Sequence, residues 1–249
     1  NDLPGNSARA ILRPSAGEPG NSDMIVYLGH KAIEASLSTD NRGSRYVGPW
    51  QTAATVSENA QAGLDERVTV RGIVTSYSRE LRFGDLQYEQ PVDSEGTRLS
   101  FLGSYAKSEP GDSIAVLDIR GKTASAQAKA THPFVRSRLE NLTARATFDL
   151  RNSDTDILSL PQSYDRVRSL RGGVSYDIAD SFNGVNLLDM EISQGLSLGA
   201  TNDGAGRTRI RGKHDYTKIT ADVSRTQALP RDFSLFVAGS GQYAFDPLL

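Results

Sequence analysis

Apolar and polar residues alternate along most of this chain after about residue 30, the period of an extended strand whose successive side chains point to opposite faces. Leu142, Ala144, Ala146, Phe148 and Leu150 interleave with Thr143, Arg145, Thr147, Asp149 and Arg151. Leu170, Val174, Tyr176 and Ile178 interleave with Ser169, Arg171, Ser175 and Asp177, with Gly172 and Gly173 falling one on each face. Ala124, Ala126, Ala128 and Ala130 alternate with Ser125, Gln127 and Lys129, and Ile33, Ala35 and Leu37 with Glu34, Ser36 and Ser38. A helix has no such period.

The same test predicts about eleven strands, near 31–41, 50–61, 66–78, 81–92, 97–110, 121–135, 141–154, 165–180, 183–196, 213–229 and 233–247. Many exceed the usual length of a globular strand and reach what a tilted strand needs to cross a bilayer. Asp93-Ser94-Glu95-Gly96, Glu109-Pro110-Gly111-Asp112, Ser181-Phe182-Asn183-Gly184 and Asn202-Asp203-Gly204 supply turns between them. The connections differ in length, from Ser78-Arg79-Glu80 to the stretch between Gly195 and Gly212, as turns on one side of a membrane and loops on the other would. Tyr46, Trp50, Tyr77, Tyr88, Tyr105, Phe134, Tyr164, Phe182, Phe233, Tyr243 and Phe245 fall mostly near strand ends, where aromatic girdles lie.

Residues 1–30 read differently. Leu3-Pro4-Gly5 predicts a turn, 7–15 a short strand, 16–22 a Gly/Pro loop and 23–30 a second strand. The fold class expected is all-β: an antiparallel transmembrane β-barrel over 31–249, with a small periplasmic unit over 1–30 preceding it.

Composition narrows the function classes. A net charge of −2 gives no basic excess to draw the chain to nucleic acid. The absence of cysteine excludes thiolate catalysis, Cys-ligated zinc and disulfides. No run is long and apolar enough for a membrane helix, and a mean hydropathy of −0.42 is compatible with a barrel that averages lipid-facing and water-facing residues. A chain opening on Asn1 is expected to be a piece of a longer one, with any export signal upstream. His30, His132 and His214 stand alone in the sequence, so no metal site or cofactor is expected. Gly204-Ala205-Gly206 and Gly239-Ser240-Gly241 lack the strand-then-helix setting of a dinucleotide site, and no nucleophile-base pair points to an enzyme. The basic run Arg207, Arg209, Arg211 and Lys213 reads as a solvated outer-loop face that could equally meet lipopolysaccharide.

Three stretches carry a family resemblance. NDLPGNSARAILRPSAGEPGNSDMIVYL resembles the closing half of a polypeptide-transport-associated (POTRA) domain of two-partner secretion transporters, the hemolysin and filamentous-hemagglutinin activator family. STDNRGSRYVGPWQ, containing Asp40, Asn41, Arg42 and Gly43, is similar to that family's lead into its first barrel strands. His132-Pro133-Phe134-Val135-Arg136-Ser137-Arg138 followed by Asn141-Leu142 resembles the words that open a mid-barrel strand there.

The resemblance implies an outer-membrane barrel of about sixteen strands, wide enough for an aqueous lumen, with periplasmic POTRA domains, a plug helix and a loop folded into the lumen. About eleven of those strands would lie in this chain, and the plug, the first POTRA domain, the loop motif and the last strands outside it. An odd-numbered sheet agrees, because two open edges in lipid would cost on the order of tens of kcal/mol.

The implied function is secretion of a partner protein in extended form, an adhesin, cytolysin or contact-dependent toxin, by a monomeric barrel in contact with outer-membrane lipid and lipopolysaccharide. Glu34, Lys129, Arg145, Asp149, Arg151, Arg171, Asp177, Asp189 and Glu191 are expected to face the lumen, where mixed charges could hold a plug or loop, or simply wet the wall. Ala8, Arg9, Ala10, Ile11, Leu12 and Arg13 are expected to form the POTRA edge that adds an extended substrate as a strand. A passive porin and a soluble β-sandwich binding module are the alternatives. The porin has no use for residues 1–30, and the sandwich needs apolar faces that meet across a core.

Overall fold

The computed structural model describes residues 3–15, 17, 20–200, 206, 208–209 and 211–248. The strands are β1 (Asn6–Pro14), β2 (Ser22–His30), β3 (Ile33–Asp40), β4 (Gln51–Asn59), β5 (Arg67–Thr75), β6 (Leu81–Pro91), β7 (Arg98–Ser108), β8 (Arg120–Arg136), β9 (Glu140–Ile157), β10 (Leu160–Ala179), β11 (Gly184–Gly195), β12 (Thr217–Ala228) and β13 (Ser234–Ala244). β1 and β2 make a two-stranded antiparallel hairpin. β3 to β13 form one 11-stranded sheet in sequence order, every neighbour antiparallel. Its two edges are β3 and β13, which do not pair with one another.

Each expected strand has its counterpart, because the period-two pattern is the geometry of the pleat itself. The main departures lie between β7 and β10. A 3-10 helix, Asp112–Leu117, follows the turn expected at Glu109 to Asp112. β9 and β10 run on past the expected boundaries and are joined by Leu158 and Ser159 alone, both at positive φ (50° and 62°). Such tight hairpin turns usually advertise themselves through Asn-Gly or Asp-Gly; Leu-Ser gives no such signal. The Asn202-Asp203-Gly204 turn, Ala205 and Arg207 lie outside the described residues.

Burial is inverted relative to a water-soluble domain. The buried side chains of the described residues are nearly all polar, among them Ser57, Asn59, Glu66, Thr75, Asp85, Thr147, Ser169 and Ser193, with Ala200 the single apolar member. Leu37, Val56, Val70, Leu86, Phe101, Leu170, Val174, Met190, Ile192 and Val223 are exposed. Cross-strand partners put these on one face of the sheet: Phe101 lies opposite Ala128, Ala128 opposite Phe148, and Phe148 opposite Leu170. On β9 the apolar stripe from Leu142 to Leu150 rises about 27 Å along the strand, or about 21 Å after a typical barrel tilt, close to the apolar band of an outer-membrane barrel. A sandwich would have buried this face.

The sheet has two unlike ends. At the end carrying the hairpin the connections are residues 60–66, 92–97, 137–139, 180–183 and 229–233; at the far end they are 41–50, 76–80, 109–119, 158–159 and 196–216. The longest loops therefore share the far end, although two short connections join them there. β10 stands taller than β11, and Leu196 and Gly206 bond to its projecting part: Leu196 N donates to Arg168 O at 2.8 Å and Tyr164 N to Gly206 O at 2.7 Å. Arg209 and Lys213 are not simply solvated. Arg209 donates to Leu248 O at 3.2 Å and Lys213 pairs with Asp246 at 2.7 Å, tying that loop to the C-terminal segment.

Backbone bonds tie the hairpin to the sheet at a tight junction. Lys31 N donates to Gly5 O at 2.8 Å, Asn59 N to Ala32 O at 2.8 Å, and Asn59 Nδ2 to Lys31 O at 2.9 Å. Gly5 has φ +70°, and a Cβ there would stand 2.6 Å from Lys31 O and 2.7 Å from Asn59 Cβ. Gly5→Val therefore stores strain of about 1–3 kcal/mol at this junction. Limited proteolysis around residues 30–33 should speed up by about tenfold while the barrel's resistance to SDS is unchanged; unaltered cleavage would remove the junction's role.

Candidate functional site

The face opposite the apolar band carries the nine charged residues expected to face a lumen. Glu34, Lys129, Arg145, Asp149, Arg151, Arg171, Asp177, Asp189 and Glu191 all fall on it: Arg145 pairs with Gly173, Gly173 with Glu191, Ser175 with Asp189, Lys129 with Thr147 and Arg151 with Val167. Glu34 stands opposite Ser57 and reaches across to Arg67 at 3.1 Å. Asp177 accepts from Asn141 at 2.9 Å.

Four strands, β8 to β11, share one network. Gln127 donates to Asp149 at 2.7 Å, and Asp149 accepts from Arg171 Nε at 2.7 Å. Arg171 reaches Glu191 at 3.5 Å, and Glu191 meets Arg145 at 3.3 Å. Arg145 grips both oxygens of Asp189 at 2.7 Å and donates to Ser175 at 3.0 Å. Two guanidinium groups thus hold three carboxylates by bidentate and bridging bonds, the geometry that suits arginine. Arg71 with Asp85 at 2.7 Å and Arg98 with Glu89 at 2.9 Å repeat the arrangement on β5 to β7.

Gly173 makes the crossing possible. Arg145 starts on β9 and its partners stand two strands away on β11, so its side chain passes over β10. A Cβ at Gly173 would lie 2.6 Å from Arg145 Cζ. The sequence pattern put Gly173 on the polar face without revealing this role, because alternation reports faces, not the path of a long side chain.

At the hairpin end of the polar face, Leu3, Pro91, Asp93, Gly96, Arg98, Pro133, Arg136, Asn141 and Thr143 border a cavity of about 520 Å³. Leu3 therefore lies beside the base of the wall.

A sequence model of the family described as haemolysin secretion/activation protein ShlB/FhaC/HecB matches residues 20–249. The chain belongs to this family. The heme/hemopexin transporter protein HuxB of Haemophilus influenzae is 22% identical across 98% of this chain and 44% of its own length. In fold the chain is similar to CdiB from Escherichia coli, with a TM-score of 0.79 at 18% identity over 100% of this chain and 47% of that one. CdiB from Acinetobacter baumannii gives a TM-score of 0.61 at 12% identity over 98% and 45%. The chain spans under half the length of these relatives.

The two internal stretches that carried the resemblance to the ShlB/FhaC/HecB family build turns. Asp40 Oδ1 accepts from Arg42 N at 2.9 Å, and Gly43 N donates to Pro49 O at 3.1 Å; a Cβ at Gly43 would sit 2.1 Å from Gly48 O. Asn41 is exposed beside them. Near His132 and Pro133 the β8–β9 register shifts, the mark of a bulge. Ser137 Oγ accepts from Glu140 N at 2.9 Å and closes the turn that exposes Arg138, while Arg136 lines the basal cavity.

His132 is not isolated in space. It lies 2.7 Å from Thr97 Oγ1, with Asp93 and Glu95 brought close enough for the three to offer ligand atoms within 4.8 Å of one another. The turn between β6 and β7 makes this meeting, which spacing along the chain could not reveal. Asp93 is engaged in closing that turn, accepting from Gly96 N at 2.8 Å, Thr97 N at 2.9 Å and Thr97 Oγ1. Ala8, Arg9, Ala10, Ile11, Leu12 and Arg13 lie on β1, all exposed to solvent, and β1 pairs with β2.

Three turn carboxyls, Asp180, Glu66 and Asp93, are held below their ordinary range. The Asp180 carboxyl is held well below the ordinary range, first by Arg225, then by Asn186 and the N–H groups of Gly184 and Phe182. Glu66 is lowered chiefly by the N–H of Ala62, and Asp93 by the Thr97 hydroxyl. A carboxyl whose folded pKa is depressed adds stability above its unfolded pKa and loses it as pH falls towards the folded value. Asp180→Asn should therefore lower the urea midpoint at neutral pH, with the gap to wild type closing below about pH 4; a gap independent of pH would contradict this.

Arg145→Met should cost about 2 kcal/mol by leaving Asp189 without a cation and Glu191 with Arg171 alone. Gly173→Val should cost a similar amount by blocking the same path, and the two changes together little more than either alone. Additive losses in urea titrations would show that Gly173 and Arg145 act separately.

Proposed function

We propose that this chain forms much of the wall of an outer-membrane pore that passes a partner protein, in extended form, from the periplasm to the cell surface. The inverted burial carries the reading: one antiparallel sheet turns a continuous apolar face outward and a charged, ion-paired face inward. Membership of the ShlB/FhaC/HecB family and the similarity to HuxB and CdiB support it.

On this reading the two open edges of the sheet, β3 and β13, are joined by further strands, since neither can stay unpaired in hydrocarbon. The closed wall is then wide enough for a water-filled lumen. Glu34, Lys129, Arg145, Asp149, Arg151, Arg171, Asp177, Asp189 and Glu191 line it. Residues 1–30 act as the last part of a POTRA domain in the periplasm, and β1, from Ala8 to Arg13, receives the substrate as an added strand, binding it through backbone bonds that ignore its sequence. The barrel works as a monomer. The paired charges leave the wall hydrated without offering a sliding polypeptide a strong fixed charge on which to stall.

Planar-bilayer conductance of the full-length parent protein, measured with and without its periplasmic and plug regions, tests the reading. Large steps should emerge only when those regions are deleted. A steady open conductance in the intact protein would make it a porin, and failure to insert would return the soluble sandwich.

A further inference from the structure

On the lipid-facing side of the far end, three cations stand in one cross-strand row. Arg82 of β6 lies directly opposite Lys107 of β7, and Lys107 directly opposite Lys122 of β8. Like charges in direct register oppose sheet pairing unless an anion lies between them. One carboxylate answers: Glu109, 2.7 Å from Lys107 Nζ. The next residue along the row, Asp154, lies opposite Lys122 but is already paired with Arg166. Arg82 spends its guanidinium on Ser78, donating to its carbonyl oxygen at 2.5 Å and its hydroxyl at 3.3 Å, which removes no charge. Arg82 and Lys122 are both exposed.

The surface below the row is hollow. The outward residues of β8 are Ala124, Ala126 and Ala128, flanked by Phe101 and Tyr105 on β7 and by Phe148 and Leu150 on β9. A trough of about 320 Å³ results, bordered by Leu86, Tyr88, Phe101, Ala126, Phe148 and Leu150. Ala126 and Ala128 sit about 13–20 Å along the strand from Lys122, a distance that an acyl chain spans when its headgroup meets the cations.

We propose that Arg82, Lys107 and Lys122, with the trough beneath them, bind one phosphorylated glycolipid of the outer leaflet, its phosphates on the cations and an acyl chain over the alanines. This rests on the outer-membrane reading above, which places the end remote from the β1–β2 hairpin at the outer leaflet. A headgroup with two phosphates fits better than one with a single phosphate, because Arg82 and Lys122, the two cations that no carboxylate answers, stand two strands apart, about 10 Å, on either side of β7. Anionic lipid attracts such rim cations, and their long stems reach up to the headgroup level.

Native mass spectrometry of the full-length protein in detergent, titrated with synthetic bisphosphorylated lipid A, provides the test. Wild type should keep a lipid adduct that weakens by about tenfold or more in Arg82→Gln/Lys107→Gln/Lys122→Gln. Ala126→Trp, which fills the trough and leaves the charges in place, should weaken it too. Equal adducts in wild type and the triple variant would overturn the proposal. So would equal binding of a phosphate-free analogue or of phosphatidylglycerol, or loss of the adduct to millimolar inorganic phosphate. Heat-modifiable migration of each protein on SDS gels separates the two levels: a wild type that never forms an SDS-resistant barrel defeats the membrane reading itself, whereas a resistant barrel indifferent to lipid A defeats this inference alone.

Discussion

A strand lying against hydrocarbon has nowhere to send an unpaired N–H or C=O, and the rest of this structure follows from that constraint. Antiparallel pairing in sequence order meets it with the shortest connections, and each of the 11 strands in the sheet takes its sequence neighbour as partner. Because pairing fixes the pleat, each side chain is assigned to one face or the other, and the sequence has to alternate to suit both solvents. The outward face then needs no polar partner and the inward face cannot rely on apolar packing. Register is specified as firmly as in a soluble core, since a slip of one residue would put Arg145 and Asp149 into lipid.

With no apolar core, cohesion of the inner face falls to hydrogen bonds and ion pairs between strands. Ser57 with Thr69, Ser104 with Ser125 and Gln127 with Asp149 link neighbouring strands, while Arg145 ties β9 to β11 over Gly173. Small residues take up both tasks: Gly173 clears a path inside, and the alanines of β8 leave a trough outside. The same two-sided logic gives the ends their character. Tyr46, Trp50, Tyr77, Tyr105, Tyr243 and Phe245 gather towards the far end, and Tyr88, Phe134, Phe182 and Phe233 towards the hairpin end.

Most of the fold was legible in the sequence because the strongest signal, alternation, is itself the structural constraint. Leu142 to Leu150 reads as a strand from residue types alone and is one. What escaped were features set by several segments at once. The Leu158-Ser159 turn lacks the residues that mark such turns, so the tall β9–β10 hairpin looked like a loop between two shorter strands. The meeting of His132 with Asp93 and Glu95, the path of Arg145 over Gly173, and the row of Arg82, Lys107 and Lys122 depend on register between strands. Register is fixed only once every turn is known. The nine charged residues on one face were legible; which of them touch was not.

The account stands on the opposite solvation of the two faces, and the absence of cysteine makes that directly measurable. Single cysteines placed in turn at residues 142–150 of the full-length protein in lipid vesicles, each spin-labelled, would be compared for access to oxygen and to a water-soluble nickel relaxant. The account predicts strict period two, with Leu142, Ala144, Ala146, Phe148 and Leu150 open to oxygen and Thr143, Arg145, Thr147 and Asp149 open to nickel. Uniform access along β9, or the opposite phase, would contradict it.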